Sequence, residues 1–216
     1  ITALRDLVRD RIQRNIDVKR ALLADVGFQD QVAQVAARIV KSLRAGGKVI
    51  FFGNGGSAAD AQHLAAEFTG RYVKERRALA AIALNTNSSS MTSIGNDYGF
   101  DFVFARQIEA LGKEGDVAIG ISTSGNSGNV LRALESAKSK SMYTAALTGA
   151  SGGAVKNIAD CTICIPSEET PRIQECHVLA GHLICEIVEL LLFGSPDVEF
   201  AEAGGAAARR RVSNPK

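Results

Sequence analysis

The chain has 216 residues, 46% of them hydrophobic, which is enough for one compact domain with a sizeable core. Its 25 basic and 23 acidic residues leave a formal net charge of +2, too balanced for nucleic-acid binding driven by charge. No apolar run reaches the ~18 residues of a membrane span, and the charged, periodic start ITALRDLVRDRIQRN is unlike a signal peptide. A cytoplasmic protein without membrane or nucleic-acid partners is the expectation.

Two amphipathic helices open the chain. Thr2–Leu23 carries Leu4, Leu7, Val8, Ile12 and Ile16 at helical spacing, and Phe28–Leu43 repeats the pattern with Val32, Val35, Ala36, Ile39 and Val40 until Gly46-Gly47 stops it. Residues 1–45 thus form a helical unit whose apolar faces need a partner, and a subunit interface supplies one.

The stretch VIFFGNGGSAADAQHLAAE, Val49–Glu67, organises the rest of the chain. Val49–Phe52 is wholly apolar, as a strand buried on both faces requires. Gly53-Asn54-Gly55-Gly56 breaks it, Ser57 is a candidate helix cap, and Ala58–Phe68 is a strong helix former. Such a turn presents backbone N–H groups and the positive helix end to an anion or to sugar hydroxyls. His63 and Glu67, four residues apart, share one helix face and form an acid/base or metal-ligand pair. The glycines fit the loose dinucleotide fingerprint, but no acid follows the next strand to hold a ribose, and no Lys-Ser/Thr follows them to make a P-loop. The same residues also read as a tight turn and a salt-bridging pair on a solvated helix face, and this stretch alone leaves both readings open.

Beyond it come a charged loop at Lys74–Arg77, a strand at Leu79–Leu84, and the polar turn Asn85–Ser90 leading a helix through Ile94. Gly95–Gly99 reads as a second break, and a helix carries Phe102, Arg106, Ile108 and Leu111. The strand Val117–Ile121 runs into Ser122-Thr123-Ser124-Gly125-Asn126-Ser127, followed by a helix from Gly128 to Lys140. Backbone and hydroxyl donors converge in such a turn, so it can hold a phosphate without a lysine. An ordinary capping turn is the alternative, and repetition of the first turn's geometry favours the phosphate reading. Strands at Tyr143–Leu147 and Cys161–Ile165 follow, then a long helix opened by Thr170-Pro171, where proline suits the first position, and continuing to Phe193. Strands alternating with helices predict an α/β three-layer sandwich around a parallel five-stranded sheet, with both turns at the carboxyl edge where ligands collect. Residues 194–216 lack an apolar period and read as a flexible tail.

Cys161, Cys164, Cys176 and Cys185 read as reduced core residues: Cys161 and Cys164 point to opposite faces of a strand, and no second such pair exists. On the last helix, Gln174 and His182 lie about 80° apart and ~12 Å along the axis, whereas His177 points about 140° from His182 and reads as a packing or surface residue. His63, Glu67, Gln174 and His182 would make a mixed nitrogen–oxygen site for a divalent metal, although spacing by itself argues little for one.

Taken together, GNGGSAADAQHLAAEFTGRY, SIGNDYGFD, GDVAIGISTSGNSGNVLRA and TPRIQECHVLAGHLICEIVE resemble the bacterial phosphoheptose isomerases of the sugar-isomerase (SIS) superfamily, over roughly residues 28–193. The resemblance implies a flavodoxin-like SIS domain over 46–193 and an isomerase converting sedoheptulose 7-phosphate to D-glycero-D-manno-heptose 7-phosphate, the first step toward activated heptose. It implies a homotetramer with active sites at subunit contacts and one zinc per subunit on His63, Glu67, Gln174 and His182. Substrate contacts carry over to Asn54, Gly55, Gly56, Glu67, Asn96, Asp97, Ser122, Thr123, Ser124, Ser127 and Gln174. The catalytic base and acid carry over to Glu67 and His182. Pro171 stands where some members carry an aspartate, and the tail has no counterpart. A rival reading is a sister SIS group that binds the replication initiator protein without catalysis. Such regulators replace the residues matching Glu67 and His182, and this chain keeps both.

Overall fold

A computed structural model describes residues 1–194; the expected tail lies, from residue 195 on, outside the described residues. The elements run α1 (Thr2–Ala24), α2 (Val26–Arg44), β1 (Val49–Gly53), α3 (Gly56–Thr69), β2 (Ala81–Ala83), α4 (Ser88–Tyr98), a 3₁₀ turn (Phe100–Phe102), α5 (Ala105–Leu111), β3 (Val117–Ile121), α6 (Gly128–Ser139), β4 (Tyr143–Thr148), a second 3₁₀ turn (Ala154–Asn157), β5 (Cys161–Cys164) and α7 (Thr170–Phe193). All five strands are parallel in the order β2-β1-β3-β4-β5.

Period-two alternation along the strands divides the core into two layers. Val49 and Phe51 of β1, with Val117, Ile119 and Ile121 of β3, pack under α2, α3 and α7. Ile50 and Phe52, with Ala118 and Ala146, pack under α5 and α6 on the other face. The chain leaves β1 toward β2 and leaves β3 toward β4, so the sheet's direction reverses between these neighbours. A crevice opens there at the carboxyl ends of the strands.

Several boundaries differ from the sequence reading. β2 shrinks to three residues because it is the edge strand: the Leu79 N–H bonds the Phe68 carbonyl of α3 (3.0 Å) rather than the ladder. The expected break at Gly95 does not occur. Asn87 caps α4 by accepting from the Ser90 N–H (3.0 Å), the helix runs to Tyr98, and it stops where Gly99 takes φ +90°. Ser57 is not a cap; it is buried one position inside α3, whose N-cap is Gly55 at φ +56°, a conformation that suits glycine.

Two helices treat their apolar residues differently. α2 buries Phe28, Val32, Val35, Ala36, Ile39, Val40 and Leu43 against the sheet, whereas α1 leaves Leu4, Leu7, Val8 and Ile12 exposed. α7, although long and apolar enough in composition to cross a membrane, packs against α2, α3 and β4 and carries two histidines and three glutamates, the mark of a core helix. All four cysteines are unpaired, three of them buried, in keeping with their reading as core residues.

Candidate active site

The two turns predicted to meet at the carboxyl edge do meet there. Asn54 of the β1 turn and Asn129 at the start of α6 exchange a reciprocal pair of amide hydrogen bonds, each 2.9 Å. Asn129 is buried, and sequence reasoning missed it. Its only signal was a second asparagine just after the serine-rich turn. Ser127 does not cap α6; its hydroxyl pairs instead with that of buried Ser122 (3.0 Å). The first N–H groups of both α3 and α6 are therefore uncapped by side chains at the crevice, which is how a helix N-terminus receives an anion. Thr123 and Ser124 line an adjoining polar cleft of about 290 Å³ with Ser151, Ser167 and Thr170.

The side chains of α3 and α7 complete the edge. His63 Nε2 lies 2.8 Å from His182 Nε2 and 3.5 Å from Glu67 Oε1, and the ligand atoms of these three residues all lie within 4.8 Å of one another. Two imidazole nitrogens at that distance share one proton or face a cation, because two protonated rings would set their N–H groups head on. Gln174 leans over the glycine turn: a Cβ built on Gly56 would meet its amide nitrogen, with the amide carbon 3.0 Å away. The four predicted ligands thus come from the two helices that border the crevice.

The donor set fits a zinc ion. Nitrogen and carboxylate oxygen are zinc's usual donors, and a tetrahedral ion has donor–donor edges of about 3.3 Å. The 3.5 Å His63–Glu67 edge matches this, while the 2.8 Å His63–His182 edge is shorter and would have to open by about half an ångström around the ion. The His63 side chain keeps 46% of its surface in solvent, so ligand exchange at the cluster is open.

Asn96 and Asp97 are placed differently. They sit exposed on the last turn of α4, bonded to each other (2.8 Å), and α4 packs through Met91 and Ile94 on the opposite layer from α3 and α7. A single chain does not bring them to the imidazole cluster. His177 is fully buried and donates from Nε2 to the Thr148 carbonyl (3.2 Å). Burial, only partly opposed by that bond, depresses its pKa to about 4. It is a neutral packing residue, one of the two roles its helical angle allowed.

Sequence reasoning also missed a buried ion pair beneath the cluster, Arg76 with Glu189 (2.9 Å). Burial pushes the Glu189 carboxyl upward, but three backbone N–H groups and Arg76 outweigh it and hold the carboxyl below its ordinary range. The signal was there: the second of two acids in the run EIVELLLF, flanked by apolar residues and seven residues after His182. Tyr72 lies between, its ring centroid 5.6 Å from that of His182.

A parallel sheet with paired N-terminal turns at its switch point, and a carboxylate with two imidazoles beside them, defines an α/β enzyme acting on a small anionic substrate. Comparison with known proteins narrows this. The model of the SIS domain matches residues 17–149. Phosphoheptose isomerase of Aneurinibacillus thermoaerophilus is 48% identical over 190 residues, 88% of this chain and 96% of that protein. The Aquifex aeolicus phosphoheptose isomerase is 57% identical over 162 residues, 75% of this chain and 85% of its own. The structure of the phosphoheptose isomerase from Neisseria gonorrhoeae superposes with a TM-score of 0.81 at 42% identity, covering 86% of this chain and 98% of that one. The chain belongs to the phosphoheptose isomerase family of SIS-domain proteins, and it is a sugar-phosphate isomerase.

Proposed function

We propose that the protein converts sedoheptulose 7-phosphate to D-glycero-D-manno-heptose 7-phosphate, the entry to activated heptose for lipopolysaccharide or other surface glycans. One observation carries this reading: the carboxylate of Glu67 and the imidazole of His182 reach a common point with His63, beside two uncapped helix N-termini. In the reading, Ser122, Thr123, Ser124 and Ser127 hold the terminal phosphate, and Asn54, Gly55 and Gly56 hold the sugar. Binding energy far from the reacting carbons then fixes their position. The proposed contacts of Asn96 and Asp97 rest on the resemblance alone.

Glu67 removes the proton from C1 of the ketose, the released electron pair forms the C1–C2 double bond, and the C2 oxygen takes up a proton. His182 then delivers a proton to C2 while the C1 hydroxyl loses its own and becomes the aldehyde. Each transfer lowers its barrier by general acid–base catalysis. A zinc held by His63, Glu67, Gln174 and His182, one per subunit, would supply polarisation of the substrate oxygens. We further propose a cytoplasmic homotetramer, a reading supported by the exposed apolar side of α1 at Leu4, Leu7, Val8 and Ile12.

A coupled assay with a heptose-phosphate kinase tests the reading. Glu67→Gln lowers kcat by on the order of 10³-fold with self-association unchanged, and full turnover in that variant overturns the base assignment. A parent protein that ignores this ketose but isomerises another sugar phosphate overturns the substrate assignment.

A further inference from the structure

The Arg76–Glu189 pair is almost wholly buried, with 3% and 4% of the two side chains exposed, and every group on it is used. The Arg76 guanidinium donates to the carbonyls of Glu67 (2.7 Å), Phe68 (3.0 Å), Gly70 (2.9 Å) and Arg77 (3.1 Å). The first two are carbonyls of the last turn of α3, which no intrahelical donor satisfies in full. Glu189 in turn accepts from the backbone N–H groups of Tyr72 (3.1 Å), Val73 (2.9 Å) and Lys74 (2.8 Å) and from Arg76 Nε (2.9 Å). One ion pair therefore ties down the chain from Glu67 to Arg77 and fastens it to α7.

What it fastens matters for the cluster. Glu189 follows His182 by seven residues, close to two helical turns, so the two project from the same side of α7 about 10 Å apart. The backbone bond to Glu189 sets Tyr72 with its ring against His182. The Arg76 bond to the Glu67 carbonyl acts on the residue whose side chain faces His63. We infer that the Arg76–Glu189 pair is a positioning device: it locks the last turn of α3 and the Tyr72 ring onto α7, and so sets the separation between the Glu67 carboxylate and the His182 imidazole. Neither residue reaches the crevice. The inference rests on the reading that Glu67 and His182 move the protons.

Two variants and two readouts test it. Glu189→Gln leaves the shape but takes away the charge that orders the three N–H groups and Arg76. The double change Arg76→Met with Glu189→Leu removes both charges together, so that neither is left buried and unpaired. Steady-state kinetics on sedoheptulose 7-phosphate give one readout. Displacement of a catalytic group by an ångström costs on the order of 10²-fold, so kcat falls by about that factor in both variants, while KM, set by the distant β1 and β3 turns, stays within about threefold. The second readout is the proton spectrum of the chain's three histidines. The Tyr72 ring shields the His182 ring protons in the parent. That shielding disappears in both variants, with buried His177 as the unmoved reference. A folded variant with parental kcat and an unshifted His182 signal overturns the inference, and so does failure of both variants to fold, since the pair would then be an element of stability alone. A parent inactive on the heptulose phosphate sinks the proposed substrate, and the His182 signal still reports on the clamp.

Discussion

Two imidazoles stand five residues apart on α7, and the same helix gives them opposite lives. His177 faces the sheet beside Ile173, Cys176 and Ala180, fully buried, with the Thr148 carbonyl as its one partner and its Nδ1 atom bonded to nothing. His182 faces α3, partly open, against His63 and Tyr72. About 140° of helical rotation separates them. The sheet-facing side needs a neutral ring of fixed shape; on the proposed function, the crevice-facing side needs one that can pass a proton or bind an ion. Residue type does not mark a functional histidine here. The company its face keeps does.

The sharpest way to break this contrast is to treat both rings alike. Glutamine at either position keeps an amide N–H near the place of Nε2 and cannot titrate. His182→Gln lowers kcat by on the order of 10³-fold with little change in Tm, while His177→Gln keeps turnover within about threefold. Steady-state kinetics and thermal melts of the two variants check it, and equal loss of turnover in both would erase the distinction between the faces.

The buried ring has its own signature, in stability. Its pKa drops from 6.5 to about 4 on folding, so the unfolded chain binds more protons between those values. Stability conferred by the neutral ring is complete above pH 6.5 and is lost as pH falls through the window, by about 3 kcal/mol in all. Urea unfolding of the parent at pH 7 and pH 4 contains this loss. In His177→Gln the acid branch is flatter by about that amount. A parallel acid branch in both proteins would mean that the ring is already charged, or reaches water, in the native state.

How much of this the sequence made legible depends on the range of the forces involved. The strand–turn–helix units at Val49–Glu67 and Val117–Lys140 are local: apolar runs, glycines and helix formers lie next to one another, and the structure has them within a few residues. His63 with Glu67, and the angle separating His177 from His182, are helical geometry and were readable for the same reason. Asn129 and the Arg76–Glu189 pair were not. Their partners lie 75 and 113 residues away, and only the packing of α3 on α7 and of β1 on β3 reveals that each polar group has an answer. The helix break placed at Gly95 fell for a different reason: the Asn87 cap and the packing of Met91 and Ile94 on the core outweigh the cost of about 1 kcal/mol for one glycine inside a helix.

The smallest expected effect comes from putting one methyl group on each side of α7. At Gly149, next to the sheet-facing side, a Cβ would meet the Thr123 carbonyl at 2.7 Å and Ile173 Cδ1 at 2.8 Å. The carbonyl belongs to fixed backbone and cannot yield, so Gly149→Ala costs about 1–3 kcal/mol of stability. At Gly56, on the crevice side, the obstacle is the far end of the Gln174 side chain, which can swing away. Gly56 sits in the first turn of α3, where alanine is favoured over glycine by about 0.5–1 kcal/mol, so Gly56→Ala holds or slightly raises Tm. On the proposed reading the Gln174 amide serves the cluster, so its displacement lowers kcat/KM about tenfold, the order of one hydrogen bond of roughly 1.4 kcal/mol. Melts and kinetics on the pair separate the two sides of the helix with a single carbon atom: a stability loss without an activity loss at Gly56 would place Gln174 outside the working site and leave the cluster to His63, Glu67 and His182.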